Sequence, residues 1–222
     1  MGHKVHPKSL RLKFVNTTWD SSWFTSKKNY AGYVVQDFEI REELIKKFKG
    51  AGISKIEIGR NSRKIMVTMF TAKPGLVIGR QGGQVDDLTK ELSKKYGEME
   101  INVREIKKPE LNAAIIADDI ARQVEKRVAY RRAAKQAIQK AMQSGAKGIK
   151  VRLGGRLNGV DIARSETFKE GNIPLHTLRS VIDYSEERSN TIYGVIGIKV
   201  WVYTGESFKK QKNKAEEMPI VA

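Results

Sequence analysis

Apolar residues alternating with a period of two, helical stripes between those stretches, and a proline-marked joint near mid-chain predict an α+β protein of two successive domains. Ile56 and Ile58, then Ile65, Val67 and Met69, and later Met99, Ile101 and Val103 each turn one strand face toward a core. Ile40, Leu44, Ile45 and Phe48, and further on Val85, Leu88, Leu92 and Tyr96, recur at helical spacing. Lys107-Lys108-Pro109 separates the halves, because proline ends a strand and favours an extended residue before it. The 222 residues, 40% of them hydrophobic, suffice for one or two ordinary cores and argue against global disorder.

In the first half, the helix around Ile40 to Phe48 is closed by Gly50. Gly59-Arg60-Asn61-Ser62 reads as the turn between the first two strands. Pro74 starts a short helix, since its missing N–H is not needed in a first turn. Val77-Ile78-Gly79-Arg80-Gln81-Gly82-Gly83-Gln84 follows, and then an amphipathic helix with Asp86, Asp87, Lys90, Glu91, Lys94 and Lys95 outside its apolar stripe. Gly79 and Gly82 let the backbone turn tightly and approach a strand of nucleic acid with no Cβ in the way. The next helix aims its N-terminal amides at the same spot, and Arg80 adds a charge-assisted bond to phosphate beside Gln81. A glycine-rich turn alone is a weak signal. Set in the order α-β-β-α-GXXG-α-β it resembles a type II KH domain over residues 39–107, whose loop clamps single-stranded backbone.

In the second half, a helical run from Asn112 to Met142 is too long for most globular helices. Its apolar set passes from Ile116, Ile120, Val124 and Val128 to Ala134, Ala137, Ile138, Ala141 and Met142, so a joint is expected near Ala129-Tyr130-Arg131. From Arg122 to Lys140 there are seven basic residues against one acid, Glu125. Arg127, Arg131 and Lys135 recur at i, i+4, i+8, and Arg132 stands three before Lys135, which predicts one cationic helix side. Like charges at that spacing cost an isolated helix stability, so a phosphate-binding face is favoured over a merely solvated one. Ile149, Val151 and Leu153 alternate with Lys150 and Arg152, which would face outward if the apolar side packs on helices. Gly154-Gly155-Arg156-Leu157-Asn158-Gly159 resembles a hairpin turning near Asn158-Gly159, with a wider loop equally open. Val160 to Phe168 would be its return strand. Ser180, Ile182 and Tyr184, and then Ile198, Val200 and Val202, mark two more strands. The expected second domain is thus helices packed on one face of an antiparallel sheet.

Charge narrows the function classes. Forty-two Lys and Arg against 25 Asp and Glu leave a formal charge of +17, for which a polyanionic partner is the natural explanation. The excess runs along the chain: 6 basic and 2 acidic residues over 1–38, 16 and 10 over 39–108, and 16 and 10 over 109–205. Without cysteine there is no disulfide or thiolate metal site. The longest charge-free stretch, ten residues from Ser189 to Ile198, is far too short to span a membrane, and no apolar leader is expected at the start. Gly154 to Gly159 lacks the Lys-Ser/Thr of a P-loop, and His3, His6 and His176 are too scattered for a metal site. No cofactor, small-molecule substrate or catalytic constellation is expected, and a cytoplasmic nucleic-acid binder is.

From Gly2-His3-Lys4-Val5-His6-Pro7, through Arg11-Leu12 and Val77 to Gly82, to Gly154 to Gly159 and Ile162-Ala163-Arg164-Ser165-Glu166, the chain resembles the bacterial ribosomal protein S-three family. Ser9 and Lys13 stand where that family would carry glycines. The resemblance implies a constituent of the head of the small ribosomal subunit, bound to small-subunit rRNA beside proteins S-ten and S-fourteen. It further implies that Arg131, Arg132 and Lys135 line the channel through which mRNA enters and help unwind structured messages. A free-standing KH-type RNA regulator is the alternative. The expected organisation is a basic arm over 1–38, a KH domain over 39–107, an α+β domain over 108–205 and a polar tail over 206–222. The candidate RNA-binding residues are Lys4, Arg11, Gly79, Arg80, Gln81, Gly82, Arg127, Arg131, Arg132, Lys135, Lys150, Arg152, Arg156 and Arg164.

Overall fold

The computed structural model describes residues 4–12, 14–15, 19–61, 64–79 and 82–208. They form two compact units, one of residues 19–107 and one that joins residues up to 18 to those from 108 onward.

The 19–107 unit runs β1 (Ser21–Ser22), α2 (Lys27–Lys47), β2 (Ile53–Arg60), β3 (Ile65–Thr71), α3 (Pro74–Ile78), α4 (Gly83–Tyr96) and β4 (Met99–Glu105), with α1 (Pro7–Arg11) preceding it in the chain as part of the other unit. Its sheet has the order β1-β2-β3-β4, antiparallel between β2 and β3 and parallel at the two outer pairs. Ile56, Ile58, Ile65, Val67, Met69 and Met99 meet Ile40, Leu44, Leu88 and Leu92 in one core. The alternation read from the sequence is what puts these side chains on a single sheet face.

Three details differ from the sequence reading. Helix α2 starts at Lys27 and its buried face is Asp37, Ile40 and Leu44, so it crosses the expected boundary at residue 38 and leaves Ile45 54% exposed. The expected arm is divided, α1 belonging to one unit and residues 19–38 to the other. Strand β2 continues through Arg60, and beyond it the Asn61 N–H donates to the Lys64 carbonyl at 2.9 Å. Arg60 stays in the strand because its guanidinium is fixed on buried Asp37, with Nη2 2.6 Å from Oδ1. Asp37 also accepts from Trp23 Nε1 and Ser21 Oγ, so this polar cluster ties β1 and α2 to the sheet.

The second unit contains α5 (Ala113–Glu125), α6 (Tyr130–Gln143), β5 (Gly148–Gly155), β6 (Arg164–Gly171), β7 (Ser180–Thr191) and β8 (Gly194–Glu206). Its sheet order is β6-β5-β8-β7, antiparallel throughout. Ile149, Val151, Leu153, Ile198, Val200 and Val202 pack on the alanine-rich inner faces of α5 and α6, where small side chains let helix and sheet approach closely. Asn112 caps α5 by accepting from the Ala114 and Ile115 amides, and Asp183 of β7 accepts from the Ala113 amide at 2.7 Å. These acceptors fill the N-terminal donors that a helix otherwise leaves unpaired. The helix break falls at residues 126–129, a little before the joint expected at Ala129-Tyr130-Arg131, of which Tyr130 and Arg131 already belong to α6.

The connection after β5 is the wider loop, not a two-residue turn, and β6 begins at Arg164 rather than Val160. Arg156 dictates this. Its guanidinium donates to the Val160 carbonyl at 2.9 Å, the Tyr193 carbonyl at 3.2 Å and Asp161 Oδ1 at 2.9 Å. Those three bonds hold residues 156–161 in a compact bend against the turn between β7 and β8. The tail from residue 209 on lies outside the described residues.

Candidate nucleic-acid interface

The first candidate site is the GXXG loop between α3 and α4. Gly79 closes α3 with its N–H on the Gly75 carbonyl at 3.1 Å, in a backbone conformation of φ +72°. A Cβ there would lie 2.7 Å from Cγ of Gln84. Gly82, at φ +82°, is the left-handed residue from which α4 begins, and among the described residues no side chain caps that helix. Both glycines are thus required by local geometry, and they deliver the chain to an open helix N-terminus. Arg80 and Gln81, which the sequence placed at this site, lie outside the described residues.

The second site is the exposed side of α6. Tyr130, Ala133, Ala134, Ile138 and Ala141 are buried against the sheet, which turns Arg131, Arg132 and Lys135 outward. Ala129 gives α6 no side-chain cap and its first turn holds no acid, while two arginines sit there against the helix dipole. Arg127 does not extend this stripe. It stands in the turn before α6 with φ +63°, its N–H on the Val124 carbonyl at 2.9 Å, so the expected i, i+4, i+8 series is broken at its first member. Arg131 is engaged within the protein: Nη2 donates to Glu166 Oε1 at 2.9 Å and Nε to Oε2 at 3.1 Å. Arg164 reaches the same group, 3.6 Å from Glu166 Oε1 and 3.4 Å from the Tyr130 hydroxyl. Among the described residues, no carboxylate pairs with Arg132 or Lys135.

The outer face of the second sheet is a third cationic surface. Register places Lys150 between Lys169 of β6 and Trp201 of β8, and Arg152 between Thr167 and Lys199. Lys150 Nζ stands 5.0 Å from the Trp201 ring centroid, and Arg152 donates to Ser165 Oγ at 3.4 Å. Burial lowers the Lys150 pKa first, and the charges of Lys4, Arg152 and Lys169 lower it further. Lys199 is offset by Glu186 at 3.3 Å, but no carboxylate pairs with Lys4, Lys150, Arg152 or Lys169 among the described residues. A phosphate backbone is the kind of ligand that would relieve such crowding. Lys169 was not singled out by sequence, although its place two residues past Thr167 on an alternating strand carried the signal.

Two sequence candidates are engaged within the protein, Arg11 buried and Arg156 at the surface with its side chain 39% exposed. Arg11 is 1% exposed, and its guanidinium donates to the carbonyls of Pro7 at 3.1 Å, Pro174 at 3.3 Å, Leu175 at 2.7 Å and Thr177 at 3.2 Å. It fastens α1 to the segment before β7 and presents nothing to RNA. Arg156 is spent on its own loop, as described above. Of the fourteen candidates, then, Arg132, Lys135, Lys150, Arg152 and Lys4 offer uncompensated charge, Arg131 and Arg164 share Glu166, and Gly79 and Gly82 shape the loop.

Comparison with known proteins adds to this geometry. Residues 39–111 match the family model of the KH domain, and residues 120–202 that described as ribosomal protein S3, C-terminal domain. Small ribosomal subunit protein uS3 of Xanthomonas campestris pv. campestris (strain 8004) is 51% identical over 209 residues, which cover 94% of this chain and 85% of that protein. The protein of that name from Vesicomyosocius okutanii is 48% identical, over 98% of this chain and 95% of its own length. That from Acidovorax sp. (strain JS42) is 46% identical, over 99% of this chain and 76% of its own.

Proposed function

Because the chain belongs to the ribosomal protein S3 family, and so is a structural, non-enzymatic constituent of the small ribosomal subunit, we propose that its α6 face lines the channel through which mRNA enters. The observation that carries this reading is the exposed group Arg131, Arg132 and Lys135 on one side of a helix whose other side is core. Arg132 and Lys135 have no carboxylate partner among the described residues, so they keep their full attraction for a passing phosphate. Fixed cations beside a single strand hold it as it enters and disfavour re-pairing of a hairpin ahead of the ribosome. The translocating ribosome supplies the work, and the protein performs no chemistry.

The outer sheet face, with Lys4, Lys150, Arg152 and Lys169, lies on the opposite side of the same sheet from α6. In this reading it holds rRNA phosphates and leaves α6 to the message. The GXXG loop at Gly79 and Gly82 is a second place for single-stranded backbone, with Arg80 as its cation. Proteins S-ten and S-fourteen are the proposed neighbours in the subunit head of a cytoplasmic ribosome. Tyr30, Val34, Val35 and Phe38 on α2, exposed together with Phe24, offer an apolar surface for a protein partner. The test is translation by ribosomes carrying alanine at 131, 132 and 135: slowing confined to messages with a stable hairpin supports the channel role, and failure to assemble overturns it.

A further inference from the structure

We propose that Glu166 is a built-in competitor of the RNA backbone on α6: its carboxylate occupies Arg131 until a phosphate displaces it, and reclaims Arg131 when the strand moves on. The inference rests on the channel reading above and concerns how that site lets go.

Glu166 lies on β6 opposite Leu153, on the sheet face that meets α6. Its Oε1 accepts from Arg131 Nη2 and from the Tyr130 hydroxyl, each at 2.9 Å, and its Oε2 accepts from Arg131 Nε at 3.1 Å. The Nε–Nη2 edge of Arg131 that takes both carboxylate oxygens is also one that takes two phosphate oxygens, so on that edge the two ligands exclude each other. The pair is not sealed in the core. The Arg131 side chain is 62% exposed, and that of Glu166 is 24% exposed. Arg131 and then Tyr130 hold the Glu166 carboxyl below the ordinary carboxylate range, so it is ionised and competes wherever RNA is bound near neutral pH.

The asymmetry within the group gives the competition its use. Arg132 and Lys135 attract phosphate at full strength, and Arg131 grips it through its Nε–Nη2 edge only at the cost of breaking its pair with Glu166. A strand is therefore captured by two cations and gripped by a third that has an alternative partner one bond away. Exposed pairs of this kind are weak, which makes the exchange reversible on each step of a moving message.

The experiment measures binding of a 20-nucleotide oligouridylate to the full chain against salt, comparing wild type with Glu166→Gln, Arg131→Ala and the double variant. Glutamine keeps the size of the side chain and a bond to Tyr130 but removes the charge. Glu166→Gln should bind roughly 3- to 10-fold tighter, and its plot of log affinity against log salt should steepen by about 0.7, the value of one further single-strand phosphate contact. The larger part of the gain should vanish in the double variant, and what remains belongs to Arg164, which stands 3.6 Å from the same carboxylate. Melting curves establish that each protein is folded; should Glu166→Gln not fold, Glu166→Asp draws the carboxylate back from Arg131 and should show the same gain, reduced. Unchanged or weaker affinity in a folded Glu166 variant, with binding still weakened by alanine at 131, 132 and 135, overturns the competitor and leaves the channel reading intact. Wild-type affinity in that triple variant overturns the channel reading with it.

Discussion

Replacing Lys150, Arg152 and Lys169 by alanine tests whether the outer sheet face is a phosphate surface. The register sets Lys150 directly beside Lys169, and Arg152 two residues further along the same face, with Lys4 contributing to the same field. Among the described residues none of these cations has a carboxylate partner, so each is available for about one phosphate. At roughly 0.7–0.9 per contact, losing three should lower the slope of log affinity against log salt by about 2 to 3. Between 50 and 200 mM salt, that smaller slope means the variant's affinity falls by roughly 20- to 40-fold less than the wild type's. Folding should not suffer, because the change removes both the burial of the Lys150 charge, the main cause of its depressed pKa, and the like-charge repulsion that adds to it. The sign follows from linkage. A folded pKa below the unfolded one disfavours folding while Lys150 is protonated, and the penalty lifts as pH rises through the folded value. A bound phosphate favours the protonated form of Lys150, so as pH rises through its folded value wild-type binding should take up protons and the variant's should not. The assay is a salt titration of the full chain with a structured RNA, alongside melting curves. An unchanged slope with unchanged stability would refute the phosphate role of this face.

Arg11→Met should cost about 2–4 kcal/mol in denaturant unfolding of the second unit, since it leaves the Pro174, Leu175 and Thr177 carbonyls without their charged donor. RNA affinity of the folded variant should be unaltered, and a loss of affinity without a loss of stability would contradict the internal role of Arg11. Gly79→Ala should destabilise the 19–107 unit by about 1–3 kcal/mol, because its φ of +72° is strained for a side chain and Gln84 crowds the new Cβ. Gly75→Ala, in α3 with open space around it, should be neutral or slightly stabilising, and equal costs at both positions would refute the distinction.

Most of the architecture was legible because it is written in local periods. Alternation located Ile56, Val67, Ile101, Val151 and Val200 on their strands, and the shift from Val124 to Ala134 located the helix break. What sequence could not supply was pairing at long range. Arg11 looked like a free cation of a basic arm, and only the fold brings it to the carbonyls of residues 174–177. Arg131 and Glu166 lie 35 residues apart and meet because α6 packs over β6. Arg127 fell into the helical series by spacing alone, although the chain needs a left-handed residue there to turn from α5 into α6. The uncompensated cations on α6 and the outer sheet face were legible, since alternation and helical spacing place them opposite a core. Which cations the protein uses internally was not.

In the proposed channel role, Arg131, Arg132 and Lys135 meet the moving message. The most direct measurement is the ratio of elongation rates on two otherwise identical messages, one with a stable hairpin downstream and one without, for wild-type ribosomes and for ribosomes carrying alanine at all three positions. The variant should incorporate normally, run at a near-normal rate on the unstructured message and be severalfold slower on the hairpin. A ratio equal to the wild type's, or subunits that fail to assemble, would contradict it.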